Sequence, residues 1–153
     1  MGAEANLSAR DIQLPEPPAP AGNYRSWRQV GSLFYLSGHG PAINDQSITG
    51  KVGADLDIAA GQKAARNVGL NLLATTRAAL GSLDRVKSVV KVLGLVNAAP
   101  DFDQHPAVIN GFSDLMVEVF GAEIGKHTRS AVGAGSLPGQ IAVEIEMILE
   151  VEV

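Results

Sequence analysis

The sequence predicts an α+β fold, a two-layer sandwich in which a six-stranded mixed sheet carries two helices on one face. Strand-like and helical segments follow one another as three strands, a helix, a strand, a helix and two strands. Each helix has one apolar stripe, and the last strand alternates apolar and acidic residues, so the two layers can bury one face against each other. A chain of 153 residues is long enough for one domain with a buried core.

Residues 1–23 are predicted to form an N-terminal arm ahead of a single domain at 24–153. The stretch LPEPPAPAG is rich in proline. Proline fixes φ and lacks an amide donor, which favours an extended path over a helix or a paired strand. Composition leaves open whether the arm is a loose tail or a strap across the domain.

The domain begins with two short strands and a loop. YRSWRQV and SLFYLSG are rich in aromatic and aliphatic residues, and Gly31 between them favours a hairpin. SGHGP ends the second strand, and INDQSITGKVG is predicted to be a loop that leads into a brief third strand.

Two helices flank the most apolar strand, DRVKSVVKVLGLVNAAP. The first helix is predicted to begin at an Asp55 or Asp57 cap and to end at about Leu80, before Gly81. The second is predicted to run from about Gln104 to Phe120, with Gly121 as its stop. Their stripes are Ala65, Val68, Leu72, Thr76 and Ala79 in the first helix, and Val108, Phe112, Leu115 and Val119 in the second.

The last two strands, separated by the turn GSLPGQ, carry the most informative charge pattern. From Ile141 to Val153 the odd-numbered residues are all apolar, whereas glutamate dominates the even-numbered positions. If the two strands pair as a hairpin, either sensible register places Arg129 on the glutamate face, opposite Glu144 or Glu146. That pairing is an assumption, because the strands could also lie apart or meet across a subunit boundary.

Two interpretations of Arg129 follow from this pattern. The simpler one is a cross-strand ion pair, which contributes roughly 0.2–1 kcal/mol when exposed. In the functional one, the guanidinium binds a substrate carboxylate with two parallel hydrogen bonds. A nearby glutamate could then orient or deprotonate a water for attack on an electrophilic carbon.

Several short motifs, in order along the chain, resemble the reactive intermediate deaminase family, the Rid or YjgF-type proteins. The motifs are LFYLSGHGP, the Asn110-Gly-Phe stretch, HTRSAVG, SLPGQ and VEIEMI, and the resemblance spans about Tyr24 to Val153. The Pro-rich lead-in resembles a subgroup described as "putative endoribonuclease" with a chorismate-mutase-like fold.

The resemblance implies a homotrimer whose sheets form a central barrel, with three sites at the subunit interfaces. It also implies hydrolysis of reactive enamines and imines, such as 2-aminoacrylate, to a 2-keto acid and ammonia without a metal or an organic cofactor. By the same resemblance, Arg129 holds the substrate carboxylate and Glu144 positions the attacking water. The residues implied to line the pocket are Tyr24, Ser37 and Asn110.

This chain departs from the family pattern at two positions. His39 stands where glutamine is common, and Ala131 stands where cysteine is common. Cysteine is not needed for attack by water, so its absence mainly removes a modification site. His39 is predicted to line the pocket and leaves the identity of the substrate open.

Composition argues against several other functions. A net charge of −4 and few aromatic residues disfavour a nucleic-acid surface. No apolar run reaches the length of a membrane span, and the absence of cysteine fits a cytoplasmic protein. The three histidines lack the spacing of a metal site. His105 is expected at the surface or as a cap, and His127 shares strand parity with Arg129, although a structural role is the stronger expectation.

Two alternatives to a deaminase stay open at this point. One is a non-catalytic trimer that binds small carboxylates or has a regulatory role through the same cleft. The other, less favoured, is an endoribonuclease that uses His39 and His127 as an acid–base pair.

Overall fold

The computed structural model of the chain describes all 153 residues. It contains one five-stranded sheet and three α-helices. The strands are β1 (Trp27–Val30), β2 (Leu33–His39), β3 (Val86–Asn97), β4 (Thr128–Ala134) and β5 (Val143–Val151). The helices are α1 (Ala3–Ala9), α2 (Ile58–Leu80) and α3 (His105–Gly125).

The sheet has the order β1-β2-β5-β3-β4, and only the β3–β4 pair is parallel. Helices α2 and α3 pack against each other and against one face of the sheet. One continuous hydrophobic core fills the space between the two layers. The prediction of a two-layer α+β fold with a mixed sheet is therefore confirmed, whereas the predicted number of six strands is wrong.

The brief third strand predicted within INDQSITGKVG does not form. This segment makes only isolated bridges, such as Thr49 with Ile141 and Val52 with Ala98. Positive φ angles at Asn44, Asp45, Gly50 and Gly53 interrupt the extended backbone that a strand requires.

The N-terminal arm begins with helix α1, which the prediction of two helices did not include. Ala3 and Leu7, four residues apart and so on one side of the helix, are buried in the main core. The carboxylate of Glu4 accepts hydrogen bonds from Arg77 Nη2 at 2.6 Å and from the Leu83 amide at 2.9 Å. These contacts fasten the start of the arm to the domain.

Helix α2 confirms its predicted ends. The Asp57 side chain accepts a hydrogen bond from the Ala60 amide at the first turn, and Gly81 closes the helix with a φ of 84°. In α3, Gly121 also interrupts the helical backbone, with a φ of 81°, but one further turn continues to Gly125.

The hairpin assumed between the Arg129 strand and the glutamate strand does not form, and the alternative that the two strands lie apart is the one observed. β4 pairs with β3 in parallel, and Arg129 lies beside Val92. Two parallel strands require a crossover connection, which α3 supplies between β3 and β4. β4 consequently forms the outer edge of the sheet, while β5 pairs with the other side of β3.

The alternating pattern of β5 is confirmed. Residues Val143, Ile145, Met147, Leu149 and Val151 are buried under the helices. The opposite face of the sheet, here the open face, carries the glutamates. It also carries partly exposed apolar side chains, among them Leu33, Tyr35, Ile148, Leu93 and Val132. None of the helices is long and apolar enough to cross a membrane.

Candidate active site

Arg129 lies on the helix-covered face of the sheet, at the free edge formed by β4. Its neighbour on β3, Val92, is fully buried beneath the helices. The guanidinium reaches α3, where Nη1 donates to Ser113 Oγ at 3.0 Å and Nη2 lies 3.5 Å from the Pro106 carbonyl oxygen. No carboxylate is within ion-pair distance of Arg129 in the protomer.

Ser113 connects Arg129 to His127. The Ser113 Oγ lies 2.9 Å from His127 Nε2, and His127 Nδ1 lies 2.7 Å from the carbonyl oxygen of Gly125. The three side chains are all partly exposed. The shared strand parity of His127 and Arg129 thus corresponds to a real proximity, through one serine hydroxyl.

Asn110 belongs to the same side of α3. Pro106, Asn110 and Ser113 are separated by four and three residues, a spacing that aligns side chains along one helical face. Because Arg129 contacts Pro106 and Ser113, the exposed Asn110 lies between its two contacts on that face. Arg129 and Asn110 therefore share one surface, here the arginine surface, which also includes Ser113 and His127.

The remaining candidate residues lie around an irregularity near the end of β2. The pairing of Leu36 with Met147 changes to His39 with Ile145, so β2 has one residue more than β5 over this interval. This bulge contains Ser37. A β-bulge redirects side chains and shifts the alternation of faces by one residue.

His39 points toward the helices because of this shift. Its partner Ile145 lies on the core face, and the exposed fraction of His39 is only 6%. The imidazole bonds to the Ser37 carbonyl oxygen at 2.7 Å and to Thr75 Oγ1 of α2 at 2.9 Å. Burial lowers the pKa of His39, which favours the neutral ring.

Ser37 and Tyr24 line a narrow cleft of about 150 Å³. Ser37 Oγ donates to the Arg25 carbonyl oxygen at 2.7 Å, and the Tyr24 ring is half exposed. Pro18 and Pro20 of the arm also line this cleft, as does His39. The proline-rich part of the arm is therefore part of the lining of this cleft.

Glu144 lies against the bulge on the open face. A Cβ at Gly38 would approach its Cδ and Oε2 atoms to 3.0 Å, so the absence of a side chain there lets the carboxylate sit against β2. Partial burial, with a smaller contribution from the charge of Glu146, raises the pKa of Glu144. Gly38 also lines the cleft of Tyr24 and Ser37, so Glu144 adjoins that cleft through Gly38. The cleft and the adjoining Glu144 are here called the glutamate cleft.

The arginine surface and the glutamate cleft are separate in one protomer. On β3, Val92 is the neighbour of Arg129 and Leu95 is the neighbour of Glu144. Residues three apart in a regular strand face opposite sides, so Arg129 and Glu144 lie on opposite faces of the sheet. No group of three or more His, Asp or Glu side chains is arranged to hold a metal ion.

Comparison with known families shows the lineage of the chain. Residues 4–148 match the family model described as "YjgF/chorismate_mutase-like, putative endoribonuclease". The chain belongs to the YjgF/chorismate mutase-like family, the Rid family. The resemblance inferred from the short motifs is confirmed, and the match extends into the N-terminal arm.

The similar proteins include a named deaminase and a protein of unknown function. The chain is 45% identical to protein TCP17 of Trypanosoma cruzi over 95% of its own length and 92% of that protein. It is 31% identical to 2-iminobutanoate/2-iminopropanoate deaminase of Dermatophagoides farinae, over 94% of this chain and 97% of the relative. The crystal structure of Atu1372 from Agrobacterium tumefaciens, a protein of unknown function, superposes with a TM-score of 0.90 at 38% identity, covering 98% and 92% of the two chains.

Sequence reasoning did not identify Ser113. Its spacing of three from Asn110 on a predicted helix was the available signal, because that spacing aligns both side chains. The contact of Ser113 with Arg129 depends on the β3–α3–β4 crossover. Because a hairpin of β4 with the last strand was assumed from the sequence, this crossover was not considered.

Proposed function

We propose that this protein hydrolyses reactive enamines and imines of small 2-amino acids to 2-keto acids and ammonia. Arg129 of one subunit binds the substrate carboxylate, and Glu144 of a neighbouring subunit positions and activates the attacking water. Three such sites form at the interfaces of a homotrimer. Tyr24, Ser37 and Asn110 complete the walls of each site.

The observation that carries this proposal is an arginine without a counter-ion at the free edge of the sheet. The Arg129 side chain is held by neutral acceptors only, Ser113 Oγ and the Pro106 carbonyl oxygen. A guanidinium fixed in this manner keeps donors for a carboxylate ligand, and its fork geometry suits bidentate binding.

The separation of Arg129 from Glu144 supports a site shared between subunits. The arginine surface follows the edge strand β4, whereas the glutamate cleft lies at the bulge of β2, across the sheet. A second copy that packs on the edge of β4 can bring its own glutamate cleft to the first copy's Arg129. Symmetric assembly then repeats the same site at every interface.

The open face supports assembly for a second reason. Apolar side chains there remain partly solvent-exposed, including Val132 at 44%, Tyr35 at 42% and Leu33 at 37%. Burial of apolar surface stabilises association by about 25 cal/mol per Å² before the cost of lost motion is subtracted. A trimer whose sheets surround a central axis would cover this face.

The proposed chemistry matches the two groups. Water adds to the carbon of the protonated C=N bond, and one of its protons passes to Glu144. Glu144 returns this proton to the nitrogen, the C–N bond breaks, and the second water proton passes from oxygen to the departing ammonia as the C=O bond of the keto acid forms. A carboxylate with a raised pKa is a stronger base than an ordinary glutamate and can serve in both proton transfers. The deaminase relative from Dermatophagoides farinae supports this reaction class.

The direct test is hydrolysis of several amino-acid-derived imines generated in solution, followed as 2-keto acid release. We expect the wild-type protein to accelerate release, and we expect Arg129→Ala to abolish the acceleration. A folded trimer that binds small carboxylates through Arg129 but accelerates no imine would instead indicate a non-catalytic carboxylate-binding protein.

A further inference from the structure

Ser113, His127 and Arg129 share a hydrogen-bond arrangement in which the proposed deamination gives His127 no role and Ser113 only that of holding Arg129. The Oγ of Ser113 is 2.9 Å from His127 Nε2 and 3.0 Å from Arg129 Nη1. A hydroxyl beside an imidazole that is itself oriented by a third group is the pattern of an activated nucleophile. We propose that Ser113 is an acyl-accepting nucleophile, with His127 as its general base.

The direction of each hydrogen bond follows from the partners. The carbonyl oxygen of Gly125 can only accept, so His127 Nδ1 carries the proton that fills this 2.7 Å contact. In a neutral imidazole, Nε2 then presents a lone pair. Arg129 can only donate, so the Ser113 hydroxyl accepts a hydrogen bond from Arg129 and donates its own hydrogen bond to His127 Nε2.

The state of His127 suits a base. Burial lowers the pKa of His127 and the positive charge of Arg129 also lowers it, which together outweigh the opposing effect of the Gly125 hydrogen bond, so the neutral ring predominates at pH 7. Phe112 contacts the imidazole edge-on, with ring centroids 5.8 Å apart, and restricts its rotation. The ring is therefore both neutral and fixed opposite the serine hydroxyl.

Arg129 supplies the electrostatic component. A guanidinium 3.0 Å from Oγ stabilises negative charge as the hydroxyl proton departs. Its remaining N–H groups can hold an oxyanion or a carboxylate on the same ligand. The substrate class that fits is a small activated acyl compound, an ester or a thioester, that carries an anionic group.

The proposed acyl transfer and the hydrolysis that follows it need no reactant besides the acyl substrate and water. Ser113 Oγ forms a bond to the acyl carbon while its proton moves to His127 Nε2. The bond from that carbon to the leaving oxygen or sulfur breaks, and His127 returns the proton to the leaving group. Water, deprotonated by His127, then attacks the acyl-serine, releases the carboxylic acid and restores the hydroxyl.

The test uses para-nitrophenyl acetate and the corresponding succinate half-ester, whose free carboxylate suits Arg129. Nitrophenolate release is followed optically, and peptide mass spectrometry locates the acyl group on the full-length protein. We expect acylation at Ser113, faster with the half-ester. The Ser113→Ala variant should lose it, His127→Gln should slow it by about 10²–10⁴-fold, and Ser113→Cys should retain an acylated side chain.

Ser130→Ala is the matched control, because Ser130 is the next residue after Arg129 but pairs with Leu93 toward the open face. It should react like the wild type. The absence of acylation at Ser113 in the wild-type protein, or equal reaction rates in wild type and Ser113→Ala, would overturn the proposal. Imine hydrolysis, measured on the same preparations, is a separate readout, so either activity can fail without the other.

Discussion

Arg129 and Glu144 lie on opposite faces of one sheet, with Val92 and Leu95 of β3 as their respective neighbours. An ion pair between these two residues within one protomer, the simpler interpretation of the sequence, is therefore excluded by the fold. Their separation also means that a site containing both residues requires a second copy of the chain.

Replacement of Arg129 by lysine should weaken carboxylate binding almost as much as replacement by alanine. Lysine keeps the charge but cannot reproduce the guanidinium fork. The lost charge-assisted hydrogen bonds correspond to about 1.5–3 kcal/mol, which is roughly 10- to 150-fold in affinity. Titration calorimetry with pyruvate measures this loss. Arg10→Lys, at an exposed position of the arm, is the control and should leave affinity unchanged.

Glu144→Gln should preserve ligand binding and abolish most turnover. The amide retains the shape of the side chain but cannot accept the proton of the attacking water, so we expect kcat to fall by about 10²–10⁴-fold. Steady-state kinetics with one imine separates this effect from a change in KM. Glu150→Gln, on the same face of β5, should retain wild-type kcat, and a similar loss in that variant would argue against a specific role of Glu144.

The raised pKa of Glu144 also predicts a dependence of stability on pH. In the folded state its carboxyl holds a proton to higher pH than in the unfolded chain, because burial and Glu146 disfavour the charge. Its favourable contribution is thus fully present below the ordinary glutamate pKa and is lost as pH rises through the raised value. Glu144→Gln should therefore gain stability relative to wild type as pH increases through this window, as measured by urea denaturation at several pH values.

The lowered pKa of His39 should make the stability of the fold depend on pH in the opposite direction, with a loss of stability as the solution becomes acidic. Its folded-state pKa is lowered, mainly by burial, so the neutral ring stabilises the fold above the ordinary histidine pKa, and this contribution is lost as pH falls toward the lowered value. A His39→Gln variant should show a weaker decline of Tm between neutral and mildly acidic pH. His105→Gln is the control at a partly exposed histidine, and an unchanged decline in His39→Gln would contradict the assignment.

Leu7→Ala should destabilise the whole domain. Leu7 is 4% exposed and belongs to the same core as the sheet and helices. Removal of a buried leucine side chain costs about 2–5 kcal/mol. Chemical denaturation should report this loss as a shifted midpoint, whereas Ser8→Ala, at an exposed position of α1, should stay near wild type.

The parts of the fold that sequence could predict are those set by local chemistry. Asp57 and Gly81 fix the ends of α2 through a cap and a positive φ, and both effects depend on neighbouring residues alone. The pairing of β4 with β3 depends instead on the crossover through α3. A register worked out for an assumed hairpin could not reveal this long-range pairing. His39 illustrates the same limit, because one extra residue in β2 moves its side chain to the helix-covered face.

The residues of the candidate site also divide into those that local sequence identified and those that depend on long-range contacts. The motif around Arg129 identified the carboxylate-binding candidate, and strand parity related His127 to it. Ser113 escaped notice because its role depends on two contacts across the β3–α3–β4 unit, at 2.9 and 3.0 Å. The predicted roles of Tyr24 and Asn110 stay predictions, although each lies on the surface that the proposed site would use.

Subunit mixing tests the shared site most directly. Arg129→Ala and Glu144→Gln proteins, each inactive alone, are unfolded together and refolded as mixed trimers. Random mixing in equal amounts leaves both functional residues at roughly a quarter of the interfaces if each interface takes Arg129 from one subunit and Glu144 from its neighbour. We therefore predict recovery of imine hydrolysis to that fraction of the wild-type rate. A mixed trimer, confirmed by light scattering, that stays as inactive as either variant would contradict the account.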